Sequence, residues 1–207
     1  MKKQLSSLDI YYIIKELQIL INSRVDKIYH SNNQGLIIQF YIQNTGKKTL
    51  KIIPGKHLYL TETKEEHDEP SGFCMFLRKH LENSRIREIR QIKPERITEF
   101  IFEKEGKKSF LIAEFLSKGA IVFCDENYTI INASEFVDFS TRKIRPKVKY
   151  DHPKMQYNFF EITEENLFEI FKNTGKDSIV TSLAVDLGFG GIYSEEICLL
   201  SKINKNK

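Results

Sequence analysis

The chain has 207 residues, 41% of them hydrophobic and 29% charged, with a formal net charge of +4, which suits one medium core with a small appended module. No apolar run approaches the roughly 18 residues needed to span a bilayer, and the opening Met-Lys-Lys-Gln-Leu-Ser-Ser lacks the apolar heart of a signal peptide, so the expectation is a cytoplasmic protein with no membrane partner. Cys74, Cys124 and Cys198 are odd in number and far apart, with no Cys-x-x-Cys, which argues against a disulfide framework and a zinc site and makes them small core residues.

In chain order, Ser6 or Ser7 caps a helix running to about Ile21, with Leu8, Tyr11, Tyr12, Lys15, Leu17 and Ile19 giving a broad stripe. Asp9 falls in its first turn, where a carboxylate complements the helix dipole. Strand-like runs follow at 24–30, 36–42, 49–54 and 57–61, separated by Asn-Asn-Gln-Gly, Asn-Thr-Gly-Lys and Pro-Gly-Lys, which is turn chemistry. A loop over 62–72 carries Glu62, Glu65, Glu66, Asp68 and Glu69. Pro70 then breaks the chain before an amphipathic helix over 73–82, whose Phe73, Phe76, Leu77, His80 and Leu81 share one face and leave Arg78 and Lys79 to water. Further strands are expected at 85–92, 96–104, 109–116, 120–124 and 129–131. Two strand sets, each introduced by one helix, suggest two similar halves forming a sandwich with helices packed at its ends.

The stretch 142–158 is basic, contains Pro146 and Pro153, and reads as an extended connector. Beyond it Thr163 opens a helix to about Lys172, Asp177 or Lys176 begins a second, and Tyr193 to Ser201 forms a third after Gly188-Phe-Gly-Gly191. The division expected is an α+β domain over 1–158 and a small helical hairpin module over 159–207.

Charge is segregated. Arg78, Lys79, Arg85, Arg87, Arg90, Lys93 and Arg96 cluster against three acids, and Arg142, Lys143, Arg145, Lys147, Lys149 and Lys154 against Asp151 alone, a distribution that orients an anionic partner. Glu95-Arg96 sets an acceptor beside a bidentate donor at the start of a strand, enough to read a base edge and grip a phosphate or ribose; the same pair also reads as an inconsequential surface ion pair. The 142–149 strip would add salt-sensitive, sequence-blind attraction, or serve only as a soluble connector. Gly188, Gly190 and Gly191 either let backbone approach a phosphate or let two helices cross closely. Glu114, in an apolar strand, must find a donor. The five histidines show no paired metal spacing, and no Gly-x-x-x-x-Gly-Lys-Ser/Thr occurs, so neither metal nor cofactor is expected.

Pro70 to Leu81, Ile86 to Phe102, Phe110 to Phe123 (Phe-Leu-Ile-Ala-Glu-Phe-Leu-Ser-Lys-Gly-Ala-Ile-Val-Phe) and Ile179 to Ile197 occur in the order of four motifs of the NFACT proteins, ribosome quality-control factors also known as fibronectin-binding proteins, and together the chain resembles their N-terminal domain with its helix-hairpin-helix-like segment. The resemblance implies a fold like the N-terminal part of formamidopyrimidine-type DNA glycosylases. It also implies a non-catalytic RNA-binding module that engages tRNA on a stalled large ribosomal subunit carrying peptidyl-tRNA and supports tailing of the nascent chain. The family's Asp-Arg pair, implicated in engaging tRNA, corresponds to Glu95-Arg96, one methylene longer, and Asp9 matches a second acidic position of that site. Arg78, Lys79, Arg142, Lys143, Arg145, Lys147 and Lys149 would contact phosphates. Where family members often carry Gly-Asn, this chain has Gly119-Ala120. The family's coiled-coil arm and second RNA-binding domain have no counterpart, so the expectation is a truncated chain or a reduced protein that does not elongate tails alone. Two other classes stay open: a DNA-glycosylase-like repair protein, although Lys2-Lys3 replaces the Pro-Glu start that supplies its nucleophile, and a protein-interaction module using 62–69.

Overall fold

Ser6, extended in backbone, starts the first helix because its hydroxyl accepts the Asp9 amide while the Asp9 carboxylate accepts the Ser6 amide, a reciprocal capping box. In the computed structural model, which describes residues 4–31, 35–63, 69–92, 94–116, 118–139, 142–153 and 157–204, this helix α1 spans Ser7–Leu17 and passes into a 3-10 turn, Gln18–Leu20. Its buried face is Ser7, Ile10, Ile14 and Leu17. The expected stripe is therefore corrected: Tyr12, Lys15 and Ile19 face water, because burial follows the one row that meets the sheet.

Four strands follow: β1 Arg24–Ser31, β2 Gly35–Ile42, β3 Gly46–Ile53 and β4 His57–Thr61. Helix α2, Gly72–Leu81, is capped by Ser71, whose hydroxyl accepts the Cys74 amide. It buries Cys74, Leu77 and Leu81, while Phe73 and Phe76 pack at the margin and His80 lies against the Phe76 and Phe123 rings. Then come β5 Arg85–Gln91, β6 Ile97–Lys104, β7 Lys107–Glu114, β8 Ala120–Cys124 and β9 Ile130–Ala133. Pairing is antiparallel throughout in the order β4-β3-β2-β1-β5-β6-β7-β8-β9.

The two helix-led halves expected from the sequence are both present, and they are continuous. Arg24 pairs with Arg85, and Asn22, Val25 and Ile86 exchange backbone hydrogen bonds of 2.8–3.1 Å across the junction with Ile86, Ser84 and Ser23. Strands far apart in the order also meet. The Gly55 amide donates to the Glu114 carbonyl at 3.1 Å, so the turn before β4 closes on the end of β7 and the sheet folds over one core. Ile28, Ile38, Phe40 and Leu50 of the first half there pack with Phe100, Phe102, Leu111 and Phe123 of the second. Gly119, at φ +73°, makes the closure possible, since a Cβ there would overlap the Gly55 nitrogen and the Pro54 carbonyl carbon.

The other face of the second half carries a separate core, Ile97, Ile112, Val122 and Ile130 with Ile144 and Tyr150. The reading of 142–158 as an extended connector is corrected here. Lys143–Ile144 forms a strand, β11, paired with β10 at Val137–Asp138, and Lys147, Val148 and Tyr150 are hydrogen-bonded to Ile130 and Tyr128. Buried Ile144 and Tyr150 are the anchors that hold this basic stretch down.

Helices α3 Glu164–Asn173, α4 Ile179–Val185 and α5 Gly191–Leu200 complete the chain. Thr163 caps α3 as expected, whereas Ser178, rather than Asp177 or Lys176, caps α4. They share a third cluster, Ile170, Leu183, Leu187 and Cys198, with Phe159 and Phe189 packed against it, their rings tilted to each other. All three cysteines are buried thiols. Among the described residues no helix is long and apolar enough to cross a membrane.

Candidate nucleic-acid interface

The start of α1 is the meeting point of four separate segments. The Ser7 hydroxyl donates to the Pro94 carbonyl, and the Gln91 amide donates to the Ser7 carbonyl and hydroxyl and to the Glu95 carbonyl at 2.8–3.0 Å. These bonds hold the turn containing Glu95 and Arg96 against the helix end that carries Asp9. The Arg96 carbonyl accepts the Phe115 amide at 2.8 Å, and the Leu5 amide donates to the Lys56 carbonyl at 3.2 Å, so the turns before β4 and before β8 border the same end. Gly190, just before α5, lies against Ser6: a Cβ on it would sit 3.5 Å from the Ser6 Cβ.

Asp9 is the hub. Its Oδ2 accepts from the Ser6 amide at 2.6 Å and the Ser6 hydroxyl at 2.8 Å, and its Oδ1 accepts the Tyr193 hydroxyl at 2.7 Å. That carboxylate pushes the Tyr193 phenol up to about 12, with burial adding to the effect. Asp9 is only half-buried, so its carboxylate is partly open to solvent. Glu95 and Arg96 are half-buried in the turn just before β6 rather than in the strand itself. Among the described residues no hydrogen bond or ion pair engages the Arg96 guanidinium, which leaves its planar donor edge available for a phosphate or base.

The other sequence-predicted cations divide. Arg78 donates from Nε to the Ile28 carbonyl at 2.7 Å and lies over the Tyr29 ring, so α2 fixes it on β1; Lys79 beside it is exposed. Lys143, Arg145, Lys147 and Lys149 are exposed, with Arg145 in a bidentate pair with Asp138 at 2.7 and 2.8 Å. Arg142 departs from the expected strip. Its side chain is 9% exposed and grips Glu114 at 2.6 and 2.8 Å, beneath the Phe139 ring and beside Tyr150, whose hydroxyl donates to the same carboxylate at 2.7 Å. As a phosphate contact Arg142 is corrected to a structural residue: the buried Glu114 carboxylate needs it more than solvent does. Glu114 thus finds the donor its apolar strand demanded.

Gly188 and Gly190 have φ of +71° and +75°, a left-handed backbone that favours glycine, while the space beside Gly190 would accept a Cβ at ordinary contact distance from Ser6. The acidic segment 62–69 falls largely outside the described residues; Glu62, at its start, pairs with Lys48 at 3.1 Å. Met1 to Lys3, and with them the missing glycosylase nucleophile, lie outside them too. Tyr193, Ser7 and Gln91 were not legible as site residues. Their bonds span up to 184 positions, and nothing local marks a Tyr or Gln as the partner of a distant helix cap.

A helix-led, doubly repeated antiparallel sheet closed over one core, with a three-helix module seated on the end where Asp9 and the 94–96 turn meet, defines a class of α+β protein. The chain matches the profile of the family described as NFACT N-terminal and middle domains over residues 6–207, and it belongs to that family. It is 34% identical over its whole length to the archaeal Rqc2 homologue aRqcH of Methanocaldococcus jannaschii, covering 32% of that protein. It is 29% identical over 97% of its length to the human ribosome quality control complex subunit NEMF, covering 19% of it. The N-terminal domain of the fibronectin-binding protein PavA from Streptococcus pneumoniae superimposes with a TM-score of 0.80 at 28% identity, over 95% of this chain and 80% of that one. The chain therefore spans about a third or less of these full-length relatives, which are ribosome quality-control factors.

Proposed function

We propose that this chain is the tRNA-binding module of a ribosome quality-control protein, holding tRNA, through its anticodon arm, on a stalled large ribosomal subunit that carries peptidyl-tRNA and so supporting tailing of the nascent chain. Asp9, Glu95 and Arg96 make the specific contacts. Arg78, Lys79, Lys143, Arg145, Lys147 and Lys149 supply attraction to the phosphate backbone. The observation that supports the reading is the docking of the Pro94–Arg96 turn on the first turn of α1 through Ser7 and Gln91: it brings into contact two segments 87 residues apart, one carrying Asp9 and the other Arg96, whose guanidinium is unengaged among the described residues. The names of the relatives give the ribosomal context.

Filter binding of tRNA against duplex DNA, at two salt concentrations, tests it. Arg96→Ala should weaken tRNA binding by about 1–3 kcal/mol without changing the melting temperature. Equal affinity of variant and parent for tRNA, or equal affinity of the parent for tRNA and duplex DNA, would sink the proposal.

A further inference from the structure

Next to this end of the molecule lies a cleft of about 930 Å³ between the two halves of the sheet. One wall is the start of α2, with Phe73; the floor includes Leu36 and Ile121; the rim carries Lys56 and Lys118 from the two turns that close the sheet, and Phe136 beyond β9. Phe136 is 51% exposed. A large ring half in water among the residues lining a cavity offers a face on which a flat, apolar partner can stack. Lys56 and Lys118 are exposed, and among the described residues neither ammonium has a carboxylate partner. Glu135 also lines the cleft, and its carboxylate disfavours a phosphate placed beside it.

An apolar floor, an exposed aromatic ring and two unpaired ammonium groups together match a ligand that is flat and apolar in one part and anionic in another. An uncharged peptide or acyl chain would use the floor but not the lysines, an anionic acyl chain would gain nothing from a flat ring, and duplex nucleic acid would use the lysines but could not enter. A single base turned out of an RNA strand uses both. The position agrees: the Lys56 carbonyl is bonded to Leu5 at the start of the first helix, and the chain continues from Glu114, which holds Gly55, to Phe115, which holds Arg96. We propose that this cleft accepts one unpaired nucleotide of the bound RNA, its base against Phe136 and its phosphate between Lys56 and Lys118. The proposal rests on RNA being the partner, and it deepens that reading by adding a subsite apart from Asp9 and Arg96.

The chain has no tryptophan, so Phe136→Trp installs a single indole at the rim. Titration with single-stranded octa-adenylate and with tRNA should quench this indole over the same concentration range in which RNA binding is seen by anisotropy. In the otherwise unaltered chain, Lys56→Glu with Lys118→Glu should weaken octa-adenylate binding about tenfold or more while the melting temperature stays unchanged. Arg96→Ala should weaken tRNA binding yet leave the quenching complete at saturation. RNA that binds with a silent indole, or with undiminished affinity for the double lysine variant, overturns the cleft while the tRNA reading stands on Arg96. Absence of any RNA binding overturns both.

Discussion

At the scale of single residues, neighbouring cations have opposite duties, and the difference is burial. Arg142 and Lys147 lie five positions apart in one basic stretch, but Arg142 is 9% exposed and shares both Glu114 oxygens, whereas Lys147 is exposed. Removing one member of a buried ion pair strands the other charge in an apolar surrounding, so Arg142→Ala should cost about 3–5 kcal/mol in urea unfolding. Lys147→Ala should cost less than about 0.5 kcal/mol. Equal costs would mean that Glu114 is not held as described. Asp9 shows the same logic in milder form: it keeps its ordinary role as a cap and acquires Tyr193 as a second partner, so a helix-dipole reading and a site reading of that residue are compatible.

At the scale of elements, the sequence displayed what is local and concealed what is distant. Strand limits were visible because Asn-Thr-Gly and Pro-Gly-Lys are turn chemistry and because β-branched and aromatic residues fill the runs between them; even the pairing into two helix-led halves was legible. The α1 stripe was misjudged because Tyr12, Lys15 and Ile19 have long apolar stems that pattern like core residues, and only the sheet decides which row is covered. The connector reading failed for the converse reason: two prolines and many lysines masked Ile144 and Tyr150, which are fully or nearly buried. Of the candidate site, Asp9, Glu95 and Arg96 could be named, but not the contact between their segments, which Ser7 and Gln91 make across 84 residues. Closure of the sheet belongs to this scale as well. Gly119 combines a positive φ with contact against Pro54 and Gly55, so Gly119→Ala should lower stability by more than about 2 kcal/mol, measured by urea unfolding, whereas Gly106→Ala, at φ +76° but with open space around it, should cost only the local backbone strain of about 1 kcal/mol.

At the scale of the whole molecule, pH and salt separate folding from binding. Burial lowers the pKa of His80 and, with some opposition from Glu99, that of His152, whose Nδ1 is buried with no hydrogen-bond partner among the described residues. A histidine that is harder to protonate when folded gives the unfolded state the greater proton uptake at low pH. Its contribution is therefore fully present above the ordinary value of 6.5 and is lost as pH falls through 6.5 toward the depressed folded value. The urea midpoint should drop between pH 7.5 and pH 5, and His152→Asn should make that drop shallower; a midpoint indifferent to pH would contradict the burial of these rings.

Binding follows a different variable. With a net charge of only +4, the proposed RNA partner would feel weak overall attraction, and affinity in that reading depends on where the exposed cations lie. If Lys143, Lys147 and Lys149 each neutralise one phosphate, replacing all three with alanine should reduce the slope of log K against log salt by about 2, given about 0.7 per contact on single strands. Discrimination between tRNA and duplex DNA should change little, because such contacts carry no sequence or shape information. Arg96→Ala should do the reverse, lowering the slope by less than about 1 while erasing much of the preference for tRNA. Two salt titrations per variant, one on each nucleic acid, measure both quantities, and a triple lysine variant that lost discrimination while keeping its slope would relocate the specific contacts from the α1 end to the β11 edge.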